Sequence, residues 1–334
     1  MKPFARLAGT ALCVCFCAVV LAQSPRIDPW PREPEAPDAP KPPPAVRQLV
    51  ALVGAYGPES DPLYVLEHDG KLFAVRGRGA AQPLTVGDFK RDARGPGLAL
   101  TFRGATYPRL QLGPAAGTAQ LRVKPLRPVG TVLAESATQQ PPAESGTFRP
   151  PDLVELVKVD PSIKLDIRYA TTNNFLGAAF YSHARAFLQR PAAEAVARAS
   201  AALHKGGYGL LVHDGYRPWY VTKAFWDATP DNEKWLVANP ASGSKHNRGC
   251  AVDLTLYELA TGTVVEMPST YDESTQRAYA FYPGGTDLQR WHRALLRRAM
   301  EAEGFTVNPT EWWHFDYKDW KDYAIENVRF EQIK

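Results

Sequence analysis

Two stretches of this chain place imidazoles and carboxylates at short spacing. Ser244-Lys245-His246-Asn247-Arg248-Gly249-Cys250-Ala251-Val252-Asp253 sets a histidine and an aspartate on either side of an Asn-Arg-Gly turn, and Glu311-Trp312-Trp313-His314 pairs a second histidine with a glutamate. Two histidines and one aspartate supply the three protein ligands of a catalytic zinc centre, which keeps one position open for water. The glutamate is then left to take that water's proton. These residue types predict metal-dependent hydrolysis.

The elements around them must aim the side chains. Residues 250–256 read as a strand, so Ala251, Asp253 and Thr255 share one face while Cys250, Val252, Leu254 and Leu256 share the other. This alternation sends Asp253 into a cleft and leaves Cys250 in the apolar core, off the ligand set. If 312–317 is a strand too, His314 shares its face with Trp312 and Asp316, and Glu311 reaches the site only from a bend or from the strand's first position. A buried strand over 209–213 runs into Asp214-Gly215-Tyr216-Arg217-Pro218, a glycine turn able to aim Arg217 into the cleft. Taken alone, Arg217 reads first as a surface ion pair. A strand is expected over 165–169, a hairpin return over 263–267, and helices over 191–203, 219–228, 231–238 and 288–300, with Gly304 capping the last. Trp226 and Trp235 read as core, His292 as a packing residue, and His68 as a solvated loop residue.

Composition places these elements in a globular, exported chain. Of 334 residues, 45% are hydrophobic and 22% charged, and a net charge of +4 with no Lys/Arg block argues against nucleic acid. Lys2 and Arg6 precede an uncharged run over 7–21 that ends in Val20-Leu21-Ala22, the pattern of an export signal over 1–22. Its removal takes away Cys13, Cys15 and Cys17, leaving Cys250 and no internal disulfide. A Pro-rich tether follows over 23–47, then a small β accessory domain over 48–128 whose His68-Asp69-Gly70-Lys71 turn is a hairpin signal. A second linker is expected over 129–151, and the catalytic domain over 152–334. The expected setting is periplasmic or secreted, with no stable membrane insertion once the signal is cleaved.

Five segments in this order carry a family resemblance. They are Asp166-Ile167-Arg168-Tyr169-Ala170-Thr171 with Asn174-Phe175, Arg190-Pro191-Ala192-Ala193-Glu194-Ala195, Asp214-Gly215-Tyr216-Arg217-Pro218, the stretch 244–256, and Thr310-Glu311-Trp312-Trp313-His314. From about residue 152 onward the chain resembles the zinc D-alanyl-D-alanine dipeptidases of the vancomycin-resistance type, within the wider zinc D,D-peptidase group. The resemblance implies an α+β fold, with an antiparallel sheet and surrounding helices, preceded here by the small all-β domain. It implies that His246, Asp253 and His314 bind one Zn2+ per chain, that Glu311 is the general acid/base, and that Arg217 stabilises the oxyanion. It further implies that Ser244 and Asp272 face the substrate's ammonium, Asp272 on spacing and its Tyr271 neighbour alone. The implied substrate is D-alanyl-D-alanine, a related dipeptide or a peptidoglycan-derived peptide. The chain departs from the family in its exported β domain and tether, and in Cys250 where a small hydroxyl residue is common. A D,D-carboxypeptidase or endopeptidase acting on peptidoglycan stems is the nearest alternative. An inactive wall-binding module would require a missing catalytic residue, and none is missing.

Overall fold

The computed structural model describes residues 40–77, 79–92, 97–110 and 121–333. The expected export signal and most of the Pro-rich tether lie outside the described residues. No helix among the described residues is long and apolar enough to cross a membrane.

After a single helical turn, α1 (Arg47–Val50), the described residues up to 110 are built on strands, with one 3-10 turn at Val86–Asp88. β1 (Gly54–Tyr56), β2 (Leu63–His68), β3 (Lys71–Arg76) and β4 (Gln82–Leu84) form one antiparallel sheet in sequential order. β5 (Phe89–Arg91), β6 (Leu98–Phe102) and β7 (Ala105–Pro108) form a second. Tyr56, Leu63, Val65, Leu72 and Leu100 fill the core that the two sheets share. Asp69 and Gly70 turn β2 into β3 with φ of 48° and 70°, the doubly positive pair that a tight hairpin demands. His68, at the end of β2, is exposed as expected but not solitary. Its Nδ1 lies 2.9 Å from Asp287 Oδ1, and the Asp69 backbone N–H donates to Asp287 Oδ2 at 2.8 Å.

The stretch 129–151 is not a bare linker. It carries α2 (Val129–Ser136), which buries Val129 and Val132 in the main core. Further on, Glu144 pairs with Arg248 at 2.5 Å. The apolar spacing of Val129, Val132 and Leu133 was outweighed in the sequence by the Pro, Gln and Thr that follow.

The remaining elements run β8 (Leu153–Glu155), α3 (Leu156–Val159), β9 (Lys164–Leu165), β10 (Phe187–Gln189), α4 (Arg190–His204), β11 (Tyr208–Asp214), α5 (Trp219–Ala228), β12 (Ala251–Glu258), α6 (Asp287–Ala302), β13 (Phe305–Asn308) and β14 (Glu311–Tyr317). Five of the strands make one sheet in the order β13-β14-β12-β11-β9, antiparallel except for the β11–β9 edge pair, and β8 pairs with β10 apart from it. The architecture is α+β. Small residues decide how closely α4 approaches the sheet: Ala192, Ala193, Ala195 and Ala199 are fully buried along its inner stripe. α6 starts at a capping box, in which the Gln289 N–H donates to Thr286 Oγ1 at 3.2 Å and the Thr286 N–H to Gln289 Oε1 at 3.0 Å.

Several expectations need correction. The strand expected over 165–169 stops at Leu165, because Arg168–Ala170 winds into a 3-10 turn. Asp231–Leu236 is likewise 3-10 and not α-helix. The return over 263–267 pairs with β12 only through an isolated Tyr257–Val264 bridge.

The turn that separates His246 from Asp253 is fixed by its own side chains. Ser244 caps a short 3-10 segment, Lys245–Arg248, and Gly249 closes it in the left-handed region at φ 65°. The fully buried Asn247 amide donates to the Arg217 carbonyl and to Thr222 Oγ1, both at 2.8 Å, tying this turn to the Arg217 loop. A Cβ on Gly249 would meet Leu153 Cδ2 at 2.5 Å and the Gln189 backbone nitrogen at 3.2 Å. Gly249→Ala is therefore expected to cost about 3 kcal/mol, from positive φ and overpacking together. Thermal unfolding checks this; an unchanged midpoint would mean that the turn is free to relax.

Candidate active site

β12 and β14 are antiparallel neighbours, and their register sets Asp253 directly opposite His314. The fixed turn brings His246 over the same point. The ligand atoms of His246, Asp253 and His314 all lie within 4.8 Å of one another. Asp253 Oδ1 is 3.0 Å from His314 Nδ1 and 3.4 Å from His246 Nε2, and the two imidazole nitrogens are 3.1 Å apart.

The outer hydrogen bonds of these rings decide what faces inward. His246 Nδ1 lies 2.7 Å from the Gly215 carbonyl, which can only accept, so Nδ1 carries the proton and Nε2 presents a lone pair. His314 Nε2 lies 2.9 Å from Asp316 Oδ1, so the neutral ring donates there and turns the Nδ1 lone pair inward. Asp253 Oδ2 accepts from Tyr271 Oη at 2.9 Å, while the buried Oδ1 has no hydrogen-bond partner of good geometry despite its closeness to the imidazoles. With both rings neutral, three lone pairs thus converge on one buried point with no donor between them. That arrangement is repulsive by itself and fits a cation.

The charges agree. Burial works against the charge of His314, yet Asp316 and Asp253 outweigh it and hold the imidazole well above its usual range. Burial likewise favours neutral Asp253, but His246 and His314 prevail and hold its carboxyl well below the usual carboxylate range. The protein has built a local negative field that a proton fills when nothing else does. Asp316 is in turn held ionised against burial by His314 and by Lys245, whose Nζ sits 2.5 Å from its Oδ2.

Glu311 is the first residue of β14, where a register shift at Asn308 bends the pair of strands. The bend resolves the geometric difficulty that strict alternation posed. Glu311 Oε2 reaches to 3.7 Å from His314 Nδ1 and accepts from Asn308 Nδ2 at 2.9 Å. Burial pushes its carboxyl upward, opposed by His314 and helped by Asp253, while the side chain stays 38% exposed to the cleft. Trp313, and not Trp312, lines the cleft beside it; Trp312 faces the opposite side and donates to Ser269 Oγ at 2.8 Å.

Arg217 is no surface residue: only 8% of it is exposed. Asp214 Oδ2 accepts from its Nε at 3.0 Å and its Nη2 at 2.7 Å, and its guanidinium lies over the rings of Tyr169 and Phe225. Its Nη1 is left as the donor that Asp214 does not engage. Ser244 and Asp272 line the same cavity of about 150 Å³ as Arg217, Glu311 and the ligand trio. Ser244 also has a structural task, since its Oγ accepts from the His246 N–H at 3.3 Å. Asp272 stands in the left-handed region at φ 58°, a strained setting for an aspartate, and accepts from Tyr169 Oη at 3.1 Å. Burial, with Asp253 and Glu311 nearby, pushes its carboxyl up to about 8.

Comparison with known proteins gives this geometry its family. A family model described as D-ala-D-ala dipeptidase matches residues 149–333. The chain belongs to the D-alanyl-D-alanine dipeptidase family. It is 32% identical over 174 residues to the D-alanyl-D-alanine dipeptidase of Escherichia coli, covering 52% of this chain and 89% of that protein. The enzyme of the same name from Enterococcus faecium is 35% identical over 175 residues, 47% of this chain and 87% of the relative. The corresponding protein of Streptomyces coelicolor is 30% identical over 175 residues. The chain is thus a metallopeptidase with an additional N-terminal half.

Sequence reasoning passed over three residues of this dipeptidase-family site. Asp214, which aims Arg217, stands in the sequence only as the first residue of the Asp214–Pro218 motif. Tyr271, which holds Asp253 Oδ2, carries no spacing signal at all. Asp316 could have been found, since it stands two residues beyond His314 on the same strand face. Trp235, read as core, is instead 38% exposed at the cleft mouth. Cys250 is fully buried, and burial pushes its thiol up to about 12, as suits a core residue.

Two predictions follow from these contacts. Asp316→Asn removes the anion that orients His314, so metal affinity, read by chelator competition, should fall about 10–100-fold while secondary structure is kept. Native affinity would show that the contact is incidental. Asp272 binds a proton more tightly folded than unfolded, so its contribution to stability falls as pH rises between the unfolded value near 4 and the folded value of about 8. Asp272→Asn should accordingly raise the unfolding midpoint of the metal-free protein more at pH 9 than at pH 4. A gain independent of pH would contradict the assignment.

Proposed function

We propose that this enzyme is an exported, zinc-dependent dipeptidase that hydrolyses D-alanyl-D-alanine or closely related D-amino-acid dipeptides released in peptidoglycan turnover. The observation that carries the reading is the small cavity that the cation-fitting trio, Glu311, Arg217 and Asp272 line together. The names of the relatives supply the substrate class, and the Lys2/Arg6-led apolar run supports export.

His246, Asp253 and His314 would hold the metal through two nitrogens and a carboxylate oxygen, a donor set that suits zinc. When bound there, zinc would supply Lewis acidity and lower the pKa of a water to about 7. Glu311 receives the proton of the attacking water at its carboxylate and delivers one to the departing amine, and its raised pKa helps it do both. Arg217, held rigid by Asp214 and buried between rings, offers Nη1 to the oxygen of the scissile carbonyl as negative charge develops there. Little reorganisation is needed, because the guanidinium is already in place. Asp272 and Ser244 take the free ammonium of the dipeptide. An ammonium beside Asp272 offsets the crowding of negative charge that keeps this carboxyl protonated when the site is empty.

The test is turnover of purified enzyme on D-alanyl-D-alanine against a stem pentapeptide. The proposal expects the dipeptide to be cut and Glu311→Gln to lower kcat about 10²–10⁴-fold with metal content retained. Cleavage of the pentapeptide alone would replace the reading with that of a D,D-carboxypeptidase, and full activity of Glu311→Gln would refute the role of the glutamate.

A further inference from the structure

The cleft has two chambers. The inner one, about 150 Å³, contains the ligand trio; the outer one, about 90 Å³, adjoins it across the shared walls of Tyr169, Phe175, Leu236, Asp272, Glu311 and Trp313. Leu121 and Trp235 line the outer chamber and not the inner one. Leu121 lies outside the family match, which begins at residue 149. One wall of the cleft is therefore supplied by the chain that precedes the peptidase domain.

That wall is anchored to two neighbouring elements by the residues that follow Leu121. Arg122 Nη1 donates to the Thr172 carbonyl at 2.8 Å and also to the Asn174 carbonyl. The Val123 N–H donates to the Phe175 carbonyl at 2.8 Å, and the Leu126 N–H to the Ala228 carbonyl, also at 2.8 Å. The first three contacts fix the segment to the loop that carries Phe175, and the fourth to the end of α5. The loop is itself braced by the fully buried Asn174, whose amide donates to the carbonyls of Thr171 and Ala178 at 2.7 Å each. Leu121 itself packs against the main hydrophobic core. An apolar side chain pinned in this way excludes by shape, since a close-packed wall yields little.

We propose that Leu121 is a specificity-determining residue: it walls the outer chamber and confines the enzyme to dipeptides with a free amino end. The inference rests on the proposed dipeptidase reading, in which Asp272 meets the substrate's ammonium. A residue added to that amino group must continue past Asp272 into the outer chamber, where Leu121 and Trp235 stand. It also replaces the ammonium by an amide, which cannot neutralise Asp272. Charge and shape therefore act against the same extension, and only the shape part belongs to Leu121.

The test compares kcat/KM for D-alanyl-D-alanine and for a tripeptide that carries one further residue on its amino side, in the native full-length enzyme and in Leu121→Ala. The tripeptide-to-dipeptide ratio is expected to rise at least about tenfold in the variant, in line with the 10–200-fold value of small apolar differences in a pocket. A merely structural role would lower both rates and leave the ratio unmoved, which would overturn the proposal. So would a native enzyme that cuts both peptides equally well. Should Leu121→Ala not fold, Leu121→Val must show a smaller rise in the same ratio, and an unchanged ratio there overturns the proposal equally. If the native enzyme leaves D-alanyl-D-alanine uncut, it is the dipeptidase reading that fails.

Discussion

The structure turns on three inward lone pairs, on His246 Nε2, Asp253 Oδ1 and His314 Nδ1, forced together by hydrogen bonds on their outer sides. None of the three could hold this orientation alone. Gly215 fixes one ring through its carbonyl, Asp316 fixes the other, and Tyr271 holds the second oxygen of Asp253. These partners come from the β11 turn, the far end of β14 and the loop after β12. The sheet order that makes β11, β12 and β14 neighbours is thus the condition for the site, and the helices serve to keep that sheet in place.

The same convergence sets the electrostatics. Asp253, Asp272 and Glu311 crowd one cleft, where burial first and their mutual repulsion second raise the last two while the imidazoles keep the first ionised. Arg217 is the fixed positive charge opposite them, and Asp214 both aims it and offsets its burial. In the proposed reaction a metal ion, a carbonyl oxygen that gains charge and a substrate ammonium would each meet a counterpart already positioned. The cost of that positioning is visible in the φ of Asp272 and in the left-handed Gly249 turn.

Much of this was legible in the residues, for identifiable reasons. His246, Asp253 and His314 stand out because the chemistry of a catalytic zinc needs those side chains, and strand alternation removes Cys250 from their company. The position of Glu311 was legible only as a condition, since whether a strand bends at its first residue depends on the partner strand, here through the shift at Asn308. Tyr271 reaches Asp253 from a loop 18 residues further on, and no local pattern reports that contact, whereas Asp214 stands only three residues before the Arg217 it aims. Trp235 was misplaced because a tryptophan within an apolar helix pattern is usually core, whereas the 3-10 geometry of Asp231–Leu236 turns it outward. The stretch 129–151 looked like a linker because its packed residues are few, and they cluster in one short helix. Leu121 is likewise silent in the sequence: its place in the cleft wall comes from the anchoring of Arg122 and Val123.

Zinc-edge X-ray absorption of the metal-loaded enzyme tests the central claim most directly, because it counts the donor atoms around the ion. The convergence of lone pairs predicts one zinc per chain with two imidazole nitrogens near 2.0–2.1 Å, oxygens from Asp253 and solvent at about 2.0–2.2 Å, and no sulfur. A sulfur shell at about 2.3 Å, or zinc bound without imidazole scattering, would contradict the account.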